Sequence, residues 1–394
     1  MPNILKRFSW AVPLAVILAA APLSCSHAAP VLPAPAPAAP PAAPAAPAAA
    51  APRAPAPAAL SLPERLSDEE FWNLIAELSE PGGSFRSDNL LSNEIWLQNV
   101  IPELLNVVKP GRVYLGVGPE QNFTYVAALK PAMVFITDIR RGNLHLHLMY
   151  KALFELSADR ADFVGRLFSR RRPEGLTPGS SVHEIFQAYA AVPKDDALFA
   201  ENLAAIVDHL RRTHGFALDA EDERGIKYVY DFFHEFGPDL TYWMSGGMGG
   251  RGGFRNSPTY ADLMVAGDSG GVLRGYLASE ENFAVLKSLQ TKNLFVPVVG
   301  NFAGPKALRA IGAWLKAHNA QVSAFYLSNV EQYLNMDGIW NDFCRNATTL
   351  PIDESSQFIR SYRGGGGPGF GGGASLNQGL YPMVTDLKLC AGSQ

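Results

Sequence analysis

The chain has 394 residues, a net charge of −4 and 33 basic against 37 acidic side chains. The basic residues are scattered, so there is no electrostatic footprint for a nucleic acid and no nucleic-acid partner is expected. Beyond the amino terminus no segment approaches the roughly 20 apolar residues of a spanning helix, so the body is expected to be soluble.

The amino terminus opens with Lys6 and Arg7, runs through an apolar stretch from Phe8 to Leu23 and reaches small residues between Ser24 and Ala29. This pattern predicts a cleavable signal peptide over residues 1–27 and export to the periplasm or cell envelope. Cys25 stands where an acylated cysteine would stand, although Pro22 occupies the place where such signals usually carry Leu. Ordinary cleavage near Ser26-His27-Ala28 competes with lipidation, and a lipid on Cys25 is the one membrane contact this reading allows. Residues 28–60 are almost all Ala and Pro and predict a semi-stiff tether. Residues 61–394 then predict one large domain, with Cys344 and Cys390 left in a compartment that permits a disulfide.

Ser67-Asp68-Glu69-Glu70 ahead of Phe71, Trp72, Ile75 and Leu78 predicts a capped amphipathic helix, and Leu91 to Leu105 predicts a second, capped by Asn89 or Ser92. Arg112 to Val117 is a strand signal, Gln121 to Leu129 a helix, Ala132 to Thr137 a strand that ends at Asp138-Ile139-Arg140-Arg141, and Asn143 to Leu156 an apolar helix. This β-α-β-α order predicts a parallel sheet covered by helices. A helical insertion follows over about 159–250, with patterned segments at Ala197 to Arg212 and Glu221 to Phe236, expected to cap the sheet's carboxyl edge or sit beside it. Tyr260 to Ala266 reads as a strand followed by a turn. The alternation then returns with strands at Asn293 to Val299 and Gln321 to Leu327 and helices at Pro305 to His318 and Val330 to Leu334. Two glycine-rich stretches, Gly246 to Gly253 and Gly364 to Gly373, read as loops. The expected fold is α/β, with a doubly wound, mostly parallel sheet and a helical insertion.

The segment with chemical content is Tyr114-Leu115-Gly116-Val117-Gly118-Pro119-Glu120-Gln121-Asn122, with Asp138 ending the next strand. Glycines between a strand and a helix let a ligand approach the backbone, and an acid at the end of the following strand can hold ribose hydroxyls. On these residues the chain resembles the class I S-adenosylmethionine-dependent methyltransferases over roughly Gly111 to Leu156. The resemblance implies a methyltransferase-like sheet and S-adenosylmethionine as cofactor, with Gly116 and Gly118 along its methionine moiety and Asp138 on its ribose. No acid precedes Gly116, and Pro119 stands where that family often carries a third glycine. Tyr114 to Phe123, Asp138 to His147, Gly300 to Ala307 and Tyr326 to Leu334 also look like an uncharacterised family of exported bacterial proteins with this fold. The plainer reading of Gly116 and Gly118 is a tight turn with no ligand.

Asn301, Asn329, Glu331 and Gln332 follow the two late strands and would project at the same carboxyl edge as Glu120, Gln121, Asn122 and Asp138. Such a group suits a polar small ligand, with Glu331 or Glu120 as a general base and Arg140 or Arg141 as a clamp for an anion. Helix capping and solvated carboxylates are the plainer reading for each residue taken alone. A non-catalytic envelope protein on the same fold is the alternative to a transferase. No metal is expected: His145 and His147 are two apart on a helix and point apart, and the other histidines show no ligand spacing. Gly267-Asp268-Ser269-Gly270-Gly271 is similar to the nucleophile motif of chymotrypsin-like serine proteases, which makes Ser269 a third, weaker candidate. The upstream histidines His183, His209, His214 and His234 lie in helical patterns instead of a double β-barrel.

Overall fold

Arg112 to Leu156 folds as two parallel strands alternating with two helices, and every residue of both strands is buried. The computed structural model describes residues 61–245, 257–363 and 376–392. The leader with Cys25, the tether and both glycine-rich stretches lie outside these residues. Six strands form one sheet: β1 (Val113–Gly116), β2 (Met133–Asp138), β3 (Phe295–Val299), β4 (Val322–Ser328), β5 (Gln357–Arg363) and β6 (Leu376–Pro382). Their order is β3-β2-β1-β4-β5-β6, with β1 to β5 parallel and β6 antiparallel to β5. Strand order reverses between β1 and β4, the switch point of a doubly wound, Rossmann-like sheet.

The strands are continuous apolar runs because both faces are covered. The register sets Val134 beside Phe295, so these two share a face, and Phe135 points to the other. Phe295 packs on Phe123 of the helix Gln121–Leu129, whereas Phe135 packs on Trp314 of the helix Ala307–Ala317. Those two helices therefore lie on opposite faces. The helix Asp68–Leu78 carries the expected capping box between Ser67 and Glu70 and buries Phe71, Leu74, Ile75 and Leu78.

Between Asp159 and Phe236 the chain is helical: Arg160–Phe168, Val182–Ala190, Asp196–Asp208, a π-helical turn His209–Thr213, and Ala220–Phe236. The last of these packs beside the helix Arg141–Leu156, where Asp222 takes bonds from Arg141 and His145. Among the described residues no helix is long and apolar enough to cross a membrane.

Three elements differ from the sequence reading. Tyr260 to Val265 is a helix, not a strand, because Thr259 and Asp262 close a capping box around its first turn. Leu91 to Trp96 is not helical, and regular structure starts only with a 3₁₀ turn at Leu97–Val100 and the helix Ile101–Val107. There the Ser92 N–H donates to Glu120 and the Glu94 N–H to the Ser92 hydroxyl, bonds that compete with helix formation. Strands β5 and β6 carried no recognised signal, since Gln357, Arg360, Ser361, Asn377 and Gln378 break their apolar pattern.

Cys344 and Cys390 form a disulfide with Cα atoms 5.8 Å apart, joining the helices Trp340–Ala347 and Met383–Gly392. The bridge closes a loop of sequence separation 46. Cys344→Ser is expected to lower stability by about 2–4 kcal/mol, read from urea unfolding under oxidising conditions, and a wild-type midpoint in the variant would contradict this.

Candidate functional site

An irregular segment, residues 79–96, runs across the carboxyl edge of the sheet. Its backbone bonds at two of the strand ends: Glu80 N–H to Val299 O of β3 at 2.9 Å, and Gly83 N–H to Ile139 O, just past β2, at 2.7 Å. Arg140 Nη1 donates to Ser87 O at 3.3 Å, and the Asn301 N–H donates to Glu80 Oε1 at 2.8 Å. Open α/β sheets bind ligands at this edge, and here a strap of the chain's own residues covers it.

The bend after β1 is occupied. Asn122 Oδ1 accepts from the Tyr114 hydroxyl at 2.9 Å, and Asn122 Nδ2 donates to Val117 O at 2.9 Å and Pro119 O at 2.8 Å. A Cβ on Gly116 would stand 2.0 Å from Asn122 Oδ1, so Gly116 is required by its own neighbour six residues on. Gly118 adopts φ +80°, the left-handed conformation that favours glycine. Its carbonyl accepts from His147 Nε2 at 2.9 Å.

Asp138 is buried and takes Arg140 as a bidentate partner, Nε to Oδ1 at 2.9 Å and Nη2 to Oδ2 at 2.6 Å. Glu120 is fully buried, with both oxygens facing the Ser92 N–H at 3.1 and 3.3 Å. Burial raises its carboxyl to about 8, so the group is mostly protonated at neutral pH. Burial also lowers His147 to about 4, against the opposing pull of the Gly118 carbonyl and Asp138. His147 is thus neutral, and its bond to Gly118 places the proton on Nε2.

Of the remaining sequence-derived candidates, Gln121 lies with Gly118 and donates to the Tyr326 hydroxyl at 3.3 Å. Asn301 accepts from the Ala303 N–H, a local turn beside Glu80. Asn329 precedes the helix Val330–Met336 and makes no side-chain capping bond. Glu331 stands apart from Glu120 and Asp138: it pairs with Arg360 at 2.7 Å, and Arg360 also pairs with Asp386. Burial raises the Glu331 carboxyl, with Arg360 pulling it back. Arg141 goes to Asp222 at 2.7 Å. His145 and His147 take different partners, Asp222 and Gly118. Asp268 accepts from the Gly270 and Val272 N–H groups and pairs with Arg274, so the protease-like motif is a closed turn around an exposed Ser269.

Glu94 had no sequence signal, because the apolar spacing around it reads as helix. It is buried and accepts from Tyr326 Oη at 2.6 Å, Ser328 Oγ at 2.7 Å, Ser361 Oγ at 2.8 Å and Gln378 Nε2 at 3.1 Å. Its carboxyl is raised by burial although all four bonds oppose the shift. Ser328 reaches it from a left-handed residue, φ +51°, next to an irregularity in the β4–β5 register. Glu94 therefore ties the strap to β4, β5 and β6 beside the switch point.

Buried side-chain atoms without a hydrogen-bond partner include Asn89 Oδ1 on the strap, Gln121 Oε1 and His147 Nδ1 at the bend, Asn143 Oδ1 on the helix Arg141–Leu156, and Gln378 Oε1 beside Glu94. All five are acceptors, given the His147 tautomer that the bond to Gly118 selects.

The fold and this edge define an α/β domain with a mostly parallel sheet whose carboxyl edge is strapped by a buried polar network. The chain belongs to the family described as Domain of unknown function (DUF7790), whose model matches residues 90–214 and 258–377. No curated protein matches it.

Two measurements test this packing. Gly116→Ala forces Asn122 out of its bonds and is expected to cost about 1–3 kcal/mol in urea unfolding; a neutral effect would mean the bend has room. Glu120 titrates at its ordinary 4.5 when unfolded and about 8 when folded, so its ionisation costs stability as pH rises from 4.5 to 8. Glu120→Gln is expected to flatten that decline, and parallel stability curves for the two proteins would refute the assignment.

Proposed function

We propose that the protein is an exported, non-catalytic binding domain that takes a small molecule rich in N–H and O–H donors at the β1/β4 switch point, beneath the strap. The observation that carries this reading is the set of five buried acceptors without partners on the strap, at the bend, beside Glu94 and on the helix Arg141–Leu156. A buried acceptor left unpaired costs about 1–3 kcal/mol, and a donor-rich guest recovers that cost. A nucleoside has the right chemistry, with ribose hydroxyls and an exocyclic amine. The sheet is read as methyltransferase-like, and the disulfide agrees with an oxidising compartment outside the cytoplasm.

S-adenosylmethionine does not fit the residues as they stand. The space above Gly116 holds the Asn122 amide, and both oxygens of Asp138 are taken by Arg140. This filling favours binding without transfer over a methyltransferase reaction.

Calorimetric titration of the purified chain with adenosine, S-adenosylmethionine and S-adenosylhomocysteine tests the proposal. Saturable adenosine binding, weakened at least tenfold by Glu94→Gln, is expected, with slower amide exchange in residues 79–96 when ligand is present. Tight binding of S-adenosylmethionine lost in Asp138→Ala would move the reading to a transferase. Silence with all three compounds would remove the nucleoside.

A further inference from the structure

At the carboxyl end of the helix Arg141–Leu156, away from the strapped edge, a second set of polar side chains converges. We propose that Glu155, His209 and His214 form a binding site for one divalent transition ion of the zinc class.

Glu155 Oε2 lies 2.6 Å from His209 Nε2 and 2.6 Å from His214 Nε2, and the three atoms fall within 4.8 Å of one another. Two imidazoles and one carboxylate are a donor set that zinc accepts, with a fourth position left for water. The backbone explains how residues five apart meet. In a regular α-helix five residues turn through about 500°, which leaves the two side chains about 140° apart. Here His209–Thr213 is a π-helical turn closed by the His214 N–H on the His209 carbonyl at 3.1 Å, and it brings both rings to Glu155. Such turns are rare and recur at functional sites.

The surroundings orient the set as the outer partners of a metal site do. His214 Nδ1 lies 2.6 Å from Asp68 Oδ1, which keeps a proton on Nδ1, so the proton that Nε2 shares with Glu155 is the one an ion displaces. Asn293 Nδ2 fixes that same Asp68 oxygen at 2.8 Å. Lys151 occupies the other oxygen of Glu155 at 2.7 Å and also donates to Gln290 O and Asn293 Oδ1, so Oε2 is the oxygen left for the cluster. The His209 and His214 side chains are 16% and 10% exposed, which gives an ion and a water ligand a path. Tetrahedral bonds of about 2.0–2.1 Å place ligand atoms about 3.3 Å apart, so the carboxylate has to withdraw by about 0.7 Å to admit the ion. The rival account is a hydrogen-bonded charge cluster that needs no ion.

The purified chain, stripped with EDTA, is titrated with Zn²⁺ by calorimetry and with Co²⁺ by visible absorption. One Zn²⁺ per chain, the visible bands of four-coordinate Co²⁺ and a rise in Tm with Zn²⁺ are expected. His209→Ala is expected to lose at least 100-fold in affinity, Asp68→Asn about 10–100-fold, and the exposed control His183→Ala nothing. Circular dichroism of the metal-free variants checks that they fold; if His209→Ala does not, Asp68→Asn and the wild-type Co²⁺ spectrum decide. No saturable binding to the wild type, or binding equally tight in Asp68→Asn and His209→Ala, overturns the site. None of these readouts involves the strapped edge, so the two proposals stand or fall separately.

Discussion

A buried carboxylate has to have its oxygens satisfied, and Glu94 meets that requirement with donors from three strands. That single constraint pins an otherwise irregular segment over the carboxyl edge of the sheet. It also draws the Ser328 hydroxyl in from a left-handed backbone position and binds the antiparallel strand β6 to the parallel body through Gln378. Long segments without regular structure are uncommon inside compact domains and are usually functional when present. Here the segment holds its place by backbone bonds at Val299 and Ile139 and by the Glu94 side chain on β4, β5 and β6.

The strap turns the edge into a low-dielectric environment, and the titrating groups respond in one direction. Glu94 and Glu120 are pushed toward their protonated forms and His147 toward its neutral one. A charge pair kept there is Asp138 with Arg140, whose bidentate bonds offset part of the desolvation. Under the proposed binding reading, a guest there meets the Glu120 carboxyl and the His147 imidazole in their neutral forms, which suits the uncharged, hydroxyl-bearing ligand proposed above.

The helix Arg141–Leu156 links the two polar regions. Toward its amino end His147 bonds the bend at Gly118, and Lys151 and Glu155 serve the histidine cluster further on. Buried polar residues on a helix of this kind are costly unless each has a partner, and His145, His147, Lys151 and Glu155 all have one.

Local pattern was enough for the parallel body. Strand-length apolar runs at Arg112–Val117 and Ala132–Thr137, helical spacing at Gln121–Leu129 and the Ser67 capping box are each written within a few consecutive residues, so they could be read from the sequence and stand in the structure. The short helix at Tyr260 and the mixed-polarity strands β5 and β6 could not be read so, because there capping and pairing outweigh intrinsic pattern. What no spacing rule conveys is convergence across the chain. That Asn122 fills the space above Gly116, that Glu94 collects hydroxyls from residues 326, 328 and 361, and that a π-helical turn sets His209 and His214 against Glu155 were all decided by packing. A side chain's partners are set by the three-dimensional neighbourhood, and only the periodicity that buries it is carried by the sequence itself.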